Sequence, residues 1–235
     1  MPPKSLLLPM IKFEEVTKKY GSANAVEDIS FEAKEGEFIF LTGHSGAGKT
    51  TLIRLLLREI TPTSGKVLIE GRDIKDLKSE EIPFYRRKIG VIFQDFKLLP
   101  DRTVYENVKL ATEIDGRTTP KEEKKIEEAL EKVNMSSRAN LFPRQLSGGE
   151  IQRTVIARVL VQEPKIILAD EPTGNLDPET GRQIVDLLGQ AGKVGVTVLM
   201  ATHNADIVNA LKHRVVNLKN GKITRDDKSG KYKND

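Results

Sequence analysis

The sequence predicts an α/β fold built on a mostly parallel sheet, with a helical subdomain inserted into it. Three observations predict it. Short continuous apolar runs recur at Phe38–Leu41, Ile89–Phe93, Ile166–Ala169 and Val196–Ala201, as strands covered on both faces require. Helical stretches at about 51–59, 148–162 and 178–190 separate several of them, and strands alternating with helices argue for parallel pairing. From about 96 to 145 the chain is instead charged and helical, with no core strand.

Taken in order, residues 11–42 read as short strands with turns between them. Ile29, Phe31 and Ala33 alternate with polar residues, the period of a half-buried strand. Phe38–Leu41 runs up to Gly43, and the leucine-rich stretch from Thr51 to Glu59 contains no breaker. A turn at Thr61–Gly65 leads to a strand at Val67–Ile69. Thr119-Pro120-Lys121-Glu122 is a helix start, with a Thr cap, Pro at the first position and Glu three after the cap. Ile126, Ala129, Leu130 and Val133 then share one helical face. The inserted helical subdomain is expected over about 96–160. Asn220-Gly221 predicts a two-residue hairpin near the end.

Residues 1–10 read as a flexible N-terminal extension, 11–222 as one domain, and 223–235 as a basic, disordered tail. Its basic character comes from Arg225, Lys228, Lys231 and Lys233, with Lys219 and Lys222 just before. Elsewhere opposite charges are interspersed, so the net charge of +4 describes a solvated surface. The chain has no cysteine, which excludes disulfides, thiolate zinc sites and cysteine nucleophiles. No apolar run approaches the ~20 residues that span a bilayer. The opening MPPKSLLLPM is too weakly apolar for a signal peptide.

Gly43-His44-Ser45-Gly46-Ala47-Gly48-Lys49-Thr50 fits G-x-x-x-x-G-K-[ST] at every fixed position, between an apolar strand and a helix that opens at Thr51. Such a loop turns backbone N–H groups onto phosphate oxygens, and the helix start adds positive potential. Lys49 supplies charge at the β- and γ-phosphates, and Thr50 a hydroxyl for Mg²⁺. Downstream, Ile166–Ala169 ends in Asp170 and Glu171. Asp170 is placed for the Mg²⁺ shell and Glu171 for polarising the attacking water.

Leu146-Ser147-Gly148-Gly149-Glu150 opens a helix just before that acidic strand. With these three motifs in this order, residues 11 to 222 resemble the ABC ATPase family. The resemblance implies a P-loop NTPase of ABC type, with an N-terminal antiparallel β subdomain beside the parallel core and the helical insert. It implies a head-to-tail homodimer with two ATP at the interface, in which Ser147, Gly148, Gly149 and Glu150 cover the partner's γ-phosphate. On the same ground Gln94 is the glutamine that senses Mg²⁺, and Asn175-Leu176-Asp177 the loop that crosses to the other subunit. His203 is the switch histidine at the γ-phosphate, and Tyr20 the aromatic against adenine. His44, at a variable position of the phosphate loop, and His213, in no motif, read as structural.

Longer stretches resemble one group within that family. FLTGHSGAGK from Phe40, IPFYRRKIGVIFQD from Ile82, LLPDRTVYENV from Leu98 and GVTVLMATH from Gly195 are similar to the FtsE cell-division ATPases. That group pairs with the membrane protein FtsX and through it controls peptidoglycan hydrolases. The resemblance thus implies an indirect, peripheral association with the cytoplasmic face of the membrane at the division site, and no nucleic-acid partner. The alternative is the ATPase of a lipoprotein-release or macrolide-export complex. Two positions depart from the pattern: Ile151-Gln152-Arg153-Thr154 stands where relatives carry a second glutamine and a valine, and Asn204 where aspartate is common.

Overall fold

The computed structural model describes residues 8–113 and 119–232. Residues 1–7 of the expected extension and 233–235 of the expected tail lie outside them. The strands are β1 (Ile11–Tyr20), β2 (Ala23–Ala33), β3 (Phe38–Thr42), β4 (Ser64–Ile69), β5 (Arg72–Asp73), β6 (Ile89–Ile92), β7 (Ile166–Asp170), β8 (Thr197–Ala201), β9 (Arg214–Lys219) and β10 (Lys222–Asp227). The helices are α1 (Lys49–Leu56), α2 (Ile82–Arg87), α3 (Val104–Lys109), α4 (Pro120–Lys132), α5 (Gly148–Leu160), α6 (Pro178–Lys193) and α7 (Ala205–Leu211).

They form two sheets. One is four-stranded, in the order β2-β1-β4-β5, and the other six-stranded, in the order β10-β9-β3-β8-β7-β6. The first is antiparallel. In the second every pairing is parallel except that of β10 with β9. β3 and β8 are buried at all their positions, and β7 at all but the last. Their side chains divide by the period of two. Ile39, Leu41, Leu168 and Leu199 enter a core shared with the antiparallel sheet and α1. Phe38, Phe40, Ile167 and Val198 enter a second core under α3 to α7. Continuous apolar runs are what a sheet with a core on each face selects.

The N-terminal strands are longer than the short ones expected, at 10 and 11 residues. Register shifts along β1 let it follow the twist past polar positions that read as turns. Phe13 and Phe31 face each other across the pair with stacked rings 4.9 Å apart. The helical segment begins as predicted: the Glu122 carboxylate accepts the Thr119 N–H at 3.0 Å, and Ile126, Ala129 and Leu130 are buried.

The tail corrects the expectation of disorder. Instead of losing structure at residue 223, the chain pairs Lys222–Asp227 against β9. Gly230 N–H then donates to His213 O at 3.2 Å, and Tyr232 N–H to Asn209 Oδ1 at 2.8 Å. Arg214 pins this arrangement. It donates to both Asp226 oxygens at 2.7 and 2.6 Å, to Glu37 Oε1 at 2.9 Å and to Glu32 O at 2.7 Å. Those carboxylates, Asp226 first, hold the guanidinium charged more firmly than usual against the opposing effect of burial. Arg214→Ala leaves two carboxylates without their partner, so urea denaturation is expected to register a loss of about 3 kcal/mol. Retention of full stability would show that β10 is held by backbone pairing alone.

Candidate active site

The parallel strands end on one side, and their C-terminal ends build a single cleft, the usual place for a ligand in an open α/β sheet. Its volume is about 960 Å³, and it is lined by residues 44–51 after β3, Phe93, Gln94 and Asp95 after β6, Asp170 and Glu171 at the end of β7, and His203 after β8. Ala25, Asn175, Ala205 and Tyr232 complete the wall.

The loop 43–48 holds its shape through glycines whose neighbours leave no alternative. Gly43 has φ 143°, and a Cβ there would lie 2.3 Å from Leu218 O; Gly48, which caps α1, has φ 109° and would meet Val26 Cγ1 at 2.7 Å. Lys49 is 7% exposed and its ammonium donates to Gly43 O at 2.6 Å and His44 O at 3.2 Å. Burial pushes this ammonium below its ordinary pKa, while Glu171 and Asp170 pull it back up.

Thr50 Oγ1 donates to Asp170 Oδ2 at 3.0 Å, joining α1 to the end of β7. Burial raises the Asp170 pKa; the Thr50 hydrogen bond opposes this, Glu171 adds to it, and Lys49 lowers it. Next along, Glu171 adopts φ 49° and donates its N–H to Ala201 O at 2.9 Å. This left-handed turn is costly for a residue with a Cβ, and it swings the carboxylate over the cleft. Glu171 Oε1 lies 2.7 Å from His203 Nδ1 and 4.0 Å from Lys49 Nζ. The His203 N–H reaches Glu171 Oε2 at 3.4 Å. Gln94 also lines the cleft, and a Cβ on Gly174 would come within 3.2 Å of its Nε2.

Two like-charged carboxyls beside one buried ammonium place a net electrostatic load on the nucleotide-free protein. Asp170→Asn is therefore expected to raise its stability to urea near pH 7. The native carboxyl of Asp170 has a raised pKa, so it favours folding while protonated and loses that contribution as pH rises through its folded value. The difference between variant and parent is thus expected to shrink as pH falls toward 4. A variant less stable than the parent at pH 7 would contradict this balance.

Other residues singled out in the sequence lie outside the cleft wall. Ser147 caps α5 in a reciprocal box with Glu150, its Oγ accepting the Glu150 N–H at 3.3 Å and its N–H donating to Glu150 Oε2 at 2.9 Å. Gly148 and Gly149 abut Leu176 and Thr180, where a Cβ would stand 3.3 and 2.6 Å from side-chain carbons. Asp177 caps α6, accepting from the N–H groups of Glu179 and Thr180 at 3.1 and 3.0 Å. Tyr20 is 48% exposed at the end of β1, and it is Ala25 of the paired strand that lines the cleft. His213 is structural, stacked on Phe38 at 4.5 Å. Two departing side chains are locally satisfied: Asn204 Oδ1 caps α7 at 3.1 Å, and Thr154 Oγ1 donates to Glu150 O at 2.8 Å. The buried amide of Gln152, in the same stretch 151–154, has no hydrogen-bond partner among the described residues.

Tyr232 is a wall residue that no sequence motif marks. It reaches the cleft only because the tail folds back beside α7. Phe93 and Asp95 flank Gln94, and the apolar strand ending there was the signal that could have found them.

The family described as ABC transporter matches residues 26–174. The cell division ATP-binding protein FtsE of Bacillus subtilis strain 168 is 48% identical over 224 residues, 95% of this chain and 98% of that protein. The protein of the same name from Escherichia coli K12 is 46% identical over 91% of this chain and 97% of its own length. Among solved structures, the bacterial ABC transporter cassette MJ0796 in its dimeric form is 38% identical with a TM-score of 0.82, covering 95% of this chain and all of that one. The same cassette in a dimeric post-hydrolysis state with ADP and phosphate gives 37% and 0.81, with the same coverage. With the phosphate loop, the Asp170–Glu171 pair and the capped glycine helix at Ser147 all in place, the chain belongs to the ABC transporter ATPase family and, within it, to the FtsE group.

Proposed function

We propose that this chain hydrolyses ATP as a subunit of a cell-division complex, paired with an integral membrane protein of the FtsX type. ATP-driven closure of a homodimer passes through that partner and regulates peptidoglycan hydrolysis on the far side of the membrane. The observation that carries this reading is the 48% identity with the Bacillus subtilis cell division protein over 95% of the chain. No helix among the described residues is long and apolar enough to cross a membrane, so attachment through a partner at the cytoplasmic face fits the chain.

In the cleft, Gly43, Ser45, Gly46, Ala47, Gly48, Lys49, Thr50 and Thr51 hold the phosphates, His44 taking part through its backbone N–H rather than its ring. Tyr20 meets the base. Ser147, Gly148, Gly149, Glu150 and Asp177 complete the partner's cleft across the dimer. The oxygen donors of Thr50, Asp170 and Gln94 suit Mg²⁺, a hard cation that favours one or two carboxylates plus substrate phosphates. The Thr50–Asp170 contact of 3.0 Å already brings two of these donors together. Mg²⁺ bound there supplies charge neutralisation at the phosphate oxygens.

Glu171 takes a proton from the attacking water. The water oxygen bonds to the γ-phosphorus as the bond from that phosphorus to the β–γ bridging oxygen breaks. His203 orients Glu171 through the 2.7 Å contact and, as the switch histidine, contacts the γ-phosphate.

Purification of the tagged chain from detergent-solubilised membranes, with ATP present, tests the partnership. An FtsX-type membrane protein is expected to come with it. Recovery of a lipoprotein-release or macrolide-export permease instead would favour that alternative and sink the cell-division reading.

A further inference from the structure

Immediately after Gln94 the chain does something unusual. Phe96 and Lys97 are consecutive residues with φ 53° and 50°, a left-handed pair with no glycine to ease it. Bulky side chains rarely adopt this conformation, and it persists only where surrounding contacts over-determine it. Here those contacts come from α5. The guanidinium of Arg158 donates to Lys97 O at 2.7 Å and to Phe96 O at 3.1 Å. Both carbonyls of the strained pair are thereby gripped by one planar fork.

No carboxylate within ion-pair distance accompanies Arg158 among the described residues, and burial alone lowers its pKa. A part-buried arginine without an acid partner bears an uncompensated desolvation cost, and its donors go to main-chain carbonyls rather than to an ion pair. The far end of the strip is fixed as well. Asn107, fully buried, accepts the Leu99 N–H at 2.8 Å and donates to Leu99 O at 3.1 Å. Phe96 and Leu98 pack onto the second core. With the strip held at 96–97 and at 99, the segment before it, Phe93 to Asp95, is what meets the cleft, and within it the Gln94 amide lies against Gly174 in the loop after Glu171.

We infer that Arg158 is a positioning residue: by clamping the carbonyls of Phe96 and Lys97 it sets the direction in which Gln94 enters the nucleotide cleft. The inference rests on the reading that Gln94 contributes to hydrolysis. Arg158 is not among the residues that line the cleft, and its effect travels through two peptide units. Arginine suits the task because its fork meets two carbonyls at a fixed spacing, whereas a lysine offers a single point charge.

Four proteins test it: Arg158→Met, Arg158→Lys, Gln94→Ala and the double variant Arg158→Met with Gln94→Ala. Hydrogen exchange of peptides covering residues 93–99 reads the clamp directly, and steady-state ATP hydrolysis reads its consequence. In Arg158→Met, exchange in this segment is expected to accelerate while ATP affinity stays within about threefold. The kcat is expected to fall on the order of tenfold, since misplacement by 1 Å in an active site can cost about a hundredfold. Arg158→Lys, which keeps the charge and one donor, is expected to fall between Met and the parent, and it serves if the Met variant does not fold. In the double variant the loss is expected to equal that of Gln94→Ala alone, because both changes remove one function.

Unchanged exchange and kcat in Arg158→Met, or a loss that multiplies with that of Gln94→Ala, overturns the role of Arg158 and leaves Gln94 standing. An Arg158→Lys protein equal to the parent in both readouts overturns the fork. If Gln94→Ala alone hydrolyses ATP at the parental rate, the reading of Gln94 fails, and the inference falls with it.

Discussion

Replacing Glu171 with Gln is expected to cut ATP hydrolysis by about a hundredfold or more, the usual contribution of a positioned general base, while leaving nucleotide affinity almost unchanged. The side chain keeps its shape, so it still fits between His203 at 2.7 Å and Lys49 at 4.0 Å. The amide can hydrogen-bond the imidazole in either direction by rotation. What it cannot do is accept a proton from water. Removing one carboxylate from beside Asp170 also relieves the like-charge repulsion that helps raise the Asp170 pKa. The variant is therefore expected to fold at least as well as the parent. With ATP and Mg²⁺, light scattering is expected to report a complex of twice the 26.2 kDa chain that persists in Glu171→Gln and is transient in the parent. Phosphate release at a tenth of the parental rate or faster would show that another group activates the water. A stable dimer in neither protein would mean that closure requires the membrane partner.

The site was legible in the sequence where chemistry is written in neighbouring residues. Gly43 to Thr50 and Asp170-Glu171 each sit at a strand end, so an apolar run pointing at them located them in space before any tertiary contact was known. The parallel core was legible for a related reason: β3, β7 and β8 are covered on both faces, and burial on both faces selects an uninterrupted apolar run. The tail was legible only at its turn: Asn220-Gly221 marked the hairpin that joins Lys219 to Lys222, but not the strand beyond residue 222. Its lysines and arginines match the composition of disorder, yet β10 pairs through the backbone, which composition does not register. The acid that anchors it, Asp226, meets its arginine 12 residues back in sequence only after the hairpin has closed. Tyr232 depends on this in turn. Gly230 lies so close to Val215 that a Cβ would stand 2.7 Å away, and that packing brings the chain back toward α7. The roles of Ser147 and Asp177 show a further limit. Each is an ordinary helix cap within its own chain, and a sequence pattern does not separate that duty from a second one across a dimer.

Gly43→Ala is expected to be the most damaging glycine-to-alanine change in the phosphate loop, and comparison with Gly46→Ala isolates the reason. Both glycines have positive φ, 143° and 78°, so alanine at either position carries backbone strain of about 1–2 kcal/mol. Their surroundings differ. A Cβ at position 46 meets nothing within 4 Å, whereas one at position 43 comes to 2.3 Å from Leu218 O and 3.0 Å from Ala47 Cβ. The contact at Leu218 is with main chain inside β9, the strand paired with β3 through Thr42 and Asn217. That carbonyl cannot retreat without opening the sheet, so the loop itself must move. Overpacking of this kind adds about 1–3 kcal/mol to the strain, bringing the expected loss for Gly43→Ala to about 2–5 kcal/mol. A total stability of about 5–15 kcal/mol leaves such a variant folded but weakened. Moving the loop also displaces Gly43 O, which accepts the Lys49 ammonium at 2.6 Å. ATP affinity is consequently expected to fall by more than tenfold in Gly43→Ala and by less than that in Gly46→Ala. Urea denaturation and nucleotide titration on the two variants measure both quantities. Equal losses would mean that φ alone governs this loop and that the Leu218 carbonyl yields to the added methyl group.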